Sequence, residues 1–200
     1  MKSKINLLAV ILSFSFSAYA QMELGLPTYG GNGCPQGTAS VSLTEDHKVM
    51  SVLFDKFIAE AGSTTGRRVD RASCNLRIPI QVMPGYSVAV IKSDYRGFTA
   101  VPGNGASATF NSEYFFAGAG RGPKATKKFV GPMSDSFIIS NDIVTGVWSP
   151  CGGDVIFAVN ASATAMSNSA MQQTMMIVDS VDMSSQDLGL IYSFSWRQCH

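Results

Sequence analysis

The sequence predicts an all-β, single-domain β-sandwich, jelly-roll-like or Greek-key, stabilised by two disulfides. Three observations predict it. Apolar and polar residues alternate with period two in many short runs, and Gly- and Pro-rich turns separate those runs. No segment carries a convincing long helical period. The four cysteines, Cys34, Cys74, Cys151 and Cys199, all lie downstream of an apparent export signal. An even number of cysteines in an oxidising compartment points to disulfides.

The signal has three parts. Lys2 and Lys4 make a positive start, Leu7 to Phe16 is apolar apart from two serines, and Ala18-Tyr19-Ala20 supplies small residues for a peptidase. Cleavage is expected between Ala20 and Gln21. The apolar run is shorter than the ~20 residues that span a bilayer. Gln21 stands where a lipoprotein would carry Cys. The expected organisation is a signal peptide over 1–20, an extended N-terminal segment over 21–33 and a β-sandwich over 34–200. The product is expected to be secreted or periplasmic, without a membrane anchor after cleavage.

The elements follow in order. Thr38 to Thr44 alternates, with Ala39, Val41 and Leu43 on one face. Val49 to Ala61 fits helix or strand, and strand is the better reading. Cys74, Leu76, Ile78, Ile80 and Val82 lie on one face of the clearest strand, and Pro79 on its polar face suggests an edge or bulge. Met83-Pro84-Gly85 is a turn, and Tyr86 to Lys92 is a strand. Asp94-Tyr95-Arg96-Gly97 reads as the next corner, with Phe98 to Val101 extended after it. Ala108, Phe110, Tyr114 and Phe116 define an aromatic strand face. Gly118 to Lys128 reads as an exposed basic loop. Short strands are expected near Phe129-Val130 and Phe137 to Ile139. Trp148 to Gly153 is a turn, and Val155, Phe157 and Val159 alternate beyond it. The Ser/Ala/Met-rich stretch Ser162 to Gln173 reads as a loop or ragged edge. Thr174 to Asp179 is a strand, and Leu190, Tyr192, Phe194 and Trp196 form the last one.

Charge and composition exclude several functions. Loss of Lys2 and Lys4 leaves 13 basic side chains against 14 acidic ones. That balance offers neither the basic face that nucleic acid requires nor a polybasic membrane patch. Four cysteines allow three pairings. The favoured one is Cys34–Cys74 with Cys151–Cys199, one bridge in each half. There is no CxxC pair, and His47 lies far from His200 in sequence, so neither a zinc site nor any cofactor is expected.

Five short signatures run along the chain. They are Gly33-Cys34-Pro35-x-Gly37, Ser73-Cys74-Asn75-Leu76, Asp94-Tyr95-Arg96-Gly97, Trp148-Ser149-Pro150-Cys151-Gly152 and Trp196-Arg197-x-Cys199. In order and spacing they resemble a family of small secreted, cysteine-paired β-rich proteins, mainly fungal with bacterial members, catalogued as a domain of unknown function. Members more often carry Asn immediately before the second Cys, where this chain has Ser73. The resemblance spans Gly33 to Cys199. It implies a secreted, disulfide-bonded β-rich domain, and brings no substrate or catalytic residue.

The residues themselves suggest few chemistries. Asp94, Tyr95 and Arg96 could bind a polar ligand, by ion pairing and by stacking a ring on a sugar. The competing reading is a structural turn in which Arg96 pairs with Asp94. Trp148 and Trp196 could be carbohydrate platforms, but a tryptophan near a disulfide in a β-sandwich is more often packed against it. Phe115 falls on the opposite face from Tyr114 and Phe116. No Gly-x-Ser-x-Gly elbow occurs. Asp94, Glu113 and Asp154 are the carboxylates that could pair for glycoside hydrolysis. Asp179, Asp182 and Asp187 could hold calcium, though a solvated stretch is the simpler reading. Asn160-Ala161-Ser162 is a glycosylation sequon. The favoured function is a non-catalytic exported module that binds a surface, a glycan or a protein partner. A small secreted hydrolase and a structural envelope or matrix protein are the alternatives.

Overall fold

The computed structural model describes residues 22–144, 146–178 and 189–199. The expected signal peptide, the Asp179–Asp187 acidic stretch and His200 lie outside the described residues. Thirteen strands and no helix are found among the described residues: β1 (Met22–Leu24), β2 (Thr28–Gly30), β3 (Ala39–Leu43), β4 (Val49–Phe54), β5 (Ile58–Ala61), β6 (Val69–Val82), β7 (Tyr86–Val101), β8 (Ser107–Phe116), β9 (Lys124–Val130), β10 (Met133–Asp142), β11 (Gly153–Met166), β12 (Thr174–Val178) and β13 (Leu190–Gln198). They form two antiparallel sheets packed face to face. In the first the order is β6-β11-β8-β9, and β1 and β2 lie end to end along the free side of β6. In the second the order is β3-β4-β13-β7-β12-β5, with β10 on the other side of β7. The β-sandwich is as expected.

The alternation in β6 does what period two requires. Ala72, Cys74, Leu76, Ile78, Ile80 and Val82 are buried, while Arg71, Asn75, Pro79 and Gln81 are exposed. Pro79 falls between the two short strands that edge β6. Its carbonyl accepts from Gly25 N at 2.8 Å, so its missing N–H faces that same interrupted edge. The segment 21–33, read as an extended lead-in, therefore contributes β1 and β2 to the first sheet.

The core between the sheets is aromatic. Phe157 packs within 6 Å, centroid to centroid, of Tyr114, Phe116, Tyr192 and Phe194. Tyr95 packs on Phe110 at 5.2 Å and on Tyr192 at 6.2 Å. Tilted and edge-to-face rings are the geometry the aromatic quadrupole favours.

Four expectations are corrected. Asp94-Tyr95-Arg96-Gly97 is no corner: it lies inside β7, paired to β10 on one side. The misreading has a physical source. Ser193 pairs with Lys92 and Phe194 with Val90, so Ile91 is an extra residue, a β-bulge. Val88 and Val90 face the core before it, and Ser93, Tyr95, Gly97, Thr99 and Val101 face the core after it. A change of phase looks like a turn in sequence. Gly97 is needed for packing instead, since a Cβ there would sit 2.2 Å from Ile177 O and 2.7 Å from Phe137 Cζ.

Second, the basic loop is shorter than expected. Lys124–Val130 is strand β9, against β8. Third, β11 continues through Ser162 to Met166, because Ala161, Ala163 and Ala165 supply a small inward face. Fourth, the strand expected near Phe137 runs from Met133 to Asp142.

Both disulfides take the favoured pairing. Cys34–Cys74 spans 5.2 Å between Cα atoms and is buried, and Cys151–Cys199 spans 6.1 Å with Cys151 exposed. Neither tryptophan is fully buried. Trp196 packs against the core, whereas Trp148 bridges to Ala89 and carries the Arg197 guanidinium 4.2 Å above its ring.

Candidate functional site

The outer face of the first sheet is built from short polar side chains. Strand register places Asn75, Asn160, Glu113 and Lys124 in one row across β6, β11, β8 and β9. The next row is Ser73, Ser162, Asn111 and Thr126, and the one after is Arg71, Thr164, Thr109 and Lys128. At the inter-strand spacing of a sheet, each row runs about 14 Å. A groove of about 460 Å³ lies over the first two rows and Arg71. Its volume falls within the usual range for ligand sites.

The floor is partly prearranged. Thr126 Oγ1 donates to Asn111 Oδ1 at 2.9 Å. Arg77 Nη1 donates to Asn160 Oδ1 at 3.2 Å, and its guanidinium lies 5.7 Å from the centroid of the half-buried Phe115 ring. Asn32 Oδ1 accepts from Ser73 N at 2.8 Å. Glu113 Oε1 is buried and has no hydrogen-bond partner. Amides and hydroxyls offer donors and acceptors together, which is what a polyhydroxylated ligand requires.

The three residues expected to bind ligand are divided between two surfaces. Tyr95 is 1% exposed and points into the core, so it presents no ring to solvent on the surface that carries its neighbours. Asp94 and Arg96 lie on the outer face of the second sheet. The Asp94 carboxylate pairs with Lys92, Oδ2 to Nζ 3.2 Å, rather than forming the expected turn with Arg96, while its Oδ1 is buried and unpartnered. Phe98, half-buried, follows on the same face. Its row runs through Ile177 to Ile58, which is exposed.

The three candidate carboxylates do not meet. Asp94 belongs to the other sheet. Asp154 and the Glu113 partner Asn160 are six residues apart on β11 (154 to 160). That is about 20 Å of strand, well beyond the roughly 5–9.5 Å that glycoside hydrolysis uses. Among the described residues no group of three His, Cys, Asp or Glu could hold a metal ion. The sequon residue Asn160 sits half-buried in a central strand, its side chain lining the groove.

The groove residues were each visible in sequence as outward positions of alternating strands. Their meeting was not, because Asn75 and Asn160 are joined only by long-range register. One signal was available. The outward positions are mostly Asn, Ser and Thr, where an ordinary solvent face would carry Lys and Glu.

Within the core, burial pushes the Tyr192 hydroxyl well above its ordinary pKa, with neighbouring Tyr95 adding to the shift. Burial raises Tyr114 likewise, Tyr95 again contributing. Both phenols stay protonated donors.

Comparison with known proteins places the chain. A relative from Arthroderma benhamiae, described as an uncharacterized secreted protein, is 30% identical over 174 residues, covering 86% of this chain and 69% of the relative. Among solved structures, TmCBM61 in complex with beta-1,4-galactotriose aligns over 86% of this chain and 88% of its own at 9% identity and TM-score 0.25, a likeness that carries no argument about ligand. No helix among the described residues is long and apolar enough to cross a membrane. The family model described as a domain of unknown function, DUF4360, matches residues 20–199, and the chain belongs to that family.

Proposed function

We propose that this protein is an exported, non-catalytic β-sandwich that binds a polysaccharide along the outer face of its first sheet. One observation carries the reading. Asn75, Asn160, Asn111, Ser73, Ser162 and Thr126 line a single groove with amides and hydroxyls, on a rigid four-stranded floor. Sites built on strands hold their geometry better than sites on loops. Export is supported by the two disulfides and by the secreted relative.

The test is retention of the purified mature protein on glycan arrays and cell envelopes. Asn75→Ala combined with Asn111→Ala removes two amide contacts. At about 0.5–1.5 kcal/mol per hydrogen bond, affinity falls by roughly tenfold or more. Asp94→Ala, on the other sheet, leaves it unchanged. Absence of retention on any glycan or envelope refutes the reading. Loss with Asp94→Ala but not with the double variant moves binding to the face of Asp94, Arg96 and Phe98.

A further inference from the structure

We propose that a second cavity, between the two sheets, is a binding site for a carboxylate. It has a volume of about 280 Å³, and its lining includes Ser93, Tyr95, Tyr114, Lys124, Asn141 and Asp142. Lys124 borders this cavity and the surface groove alike. The proposal does not depend on the groove's ligand.

The argument starts from polar atoms that have no partner. Tyr114 is 1% exposed, and its Oη makes no hydrogen bond. Asn141 Nδ2 is buried and equally unpartnered. Tyr192 Oη and Ser112 Oγ are in the same condition. Register ties these groups to one region. Asn141 and Tyr192 both pair with Ser93, on its two sides, so the three form a row across the inner face of the second sheet. Ser112 and Tyr114 are alternate inward residues of β8. Buried polar groups are nearly always bonded, and an orphan bears its full desolvation cost. A cluster of them around an open cavity is a site lacking its occupant.

The donor inventory selects the occupant. An amide Nδ2 donates two hydrogens, and a phenol that stays protonated donates one. Lys124 adds an ammonium. Asp142 also lines the cavity, but it is exposed to solvent, and Lys124 offsets its charge. The orphaned donors and the ammonium together call for an anionic acceptor, and charge-assisted bonds to a carboxylate are the strongest available. Water is the competing occupant. At about 30 Å³ each, some nine molecules would fit.

The experiment measures thermal shift and calorimetric affinity of the mature protein with galacturonate, N-acetylalanine and galactose at constant ionic strength. Galacturonate stands for an acidic sugar, N-acetylalanine for a peptide terminus, and galactose for the neutral ring. A saturable response to either carboxylate, absent with galactose, is the expected result, and which of the two responds identifies the source. Tyr114→Phe removes one oxygen and keeps the ring. It should melt no lower than wild type without ligand, yet bind the carboxylate at least tenfold more weakly. Asn75→Ala with Asn111→Ala should leave carboxylate binding intact, which separates this site from the groove. Absence of any response to either carboxylate, an equal response to galactose, or full binding by Tyr114→Phe overturns the proposal and assigns the cavity to water.

Discussion

Selective reduction should open one disulfide before the other. Cys34 and Cys74 are 0% and 1% exposed, while Cys151 is open to solvent in the turn after Pro150. Thiol–disulfide exchange needs access to a sulfur, so mild reductant acts on Cys151–Cys199 first. The cost follows from the chain. A separation of 48 residues gives a loop-closure contribution of about 4 kcal/mol at 25 °C in the chain-entropy model. The 40-residue loop of the other bridge is worth nearly the same. Order of opening therefore reports access, not strength. Gly152 N to Tyr86 O and Cys199 N to Gly85 O, both 2.8 Å, keep the turn and the last strand in place after the bond opens. A domain of this size stays folded and melts about 8–16 °C lower, at roughly 2–4 °C per kcal/mol. The assay is native reduction, alkylation, peptide mapping and a thermal melt of the singly reduced protein. Opening of Cys34–Cys74 first, or a melt lowered by less than about 3 °C, on the order of 1 kcal/mol, would refute the reasoning.

Other outcomes are equally specific. Gly97→Ala brings a methyl group against Ile177 O and the Phe137 ring; urea denaturation should report a loss of about 1–3 kcal/mol, and a neutral result would sink the packing role given to this glycine. Phe157→Ala empties the centre of the aromatic cluster and should cost about 3–5 kcal/mol by the same measurement. Absorbance titration of the phenols should rise through pH 10 for only part of the tyrosines, because Tyr114 and Tyr192 hold their protons. Their folded pKa values exceed the unfolded value of about 10, so the native state binds more protons above that pH. Stability is then fully present below pH 10 and falls as pH rises beyond it. A single titration step for every tyrosine in the folded protein would contradict this.

What could be read from the residues depended on range. The inward run Cys74 to Val82 needed only local alternation, and it is β6 as expected. The cysteine pairing also followed from spacing and compartment. Three features escaped. The bulge at Ile91 reversed the facing of everything after it, so Tyr95 was credited with a surface it does not reach. Alanine-rich β11 looked like a loop because its buried face is small. The groove requires β6, β11, β8 and β9 to align in register, and only folding brings Asn75 beside Asn160 and Asn111 beside Thr126. Short alternations disclose which way a side chain points, while tertiary pairing decides what it meets.

The extra residue in β7 also makes this chain sensitive to length at one point. Deleting Ile91 would restore a uniform phase along the whole strand, and the partners on either side would no longer match it. With β13 held in place, Lys92 through Val101 would turn over together. Asp94 and Arg96 would be driven inward, and Tyr95 and Thr99 would be expelled to solvent. Substitutions along β7 act one side chain at a time, whereas the loss of a single codon here would invert the strand.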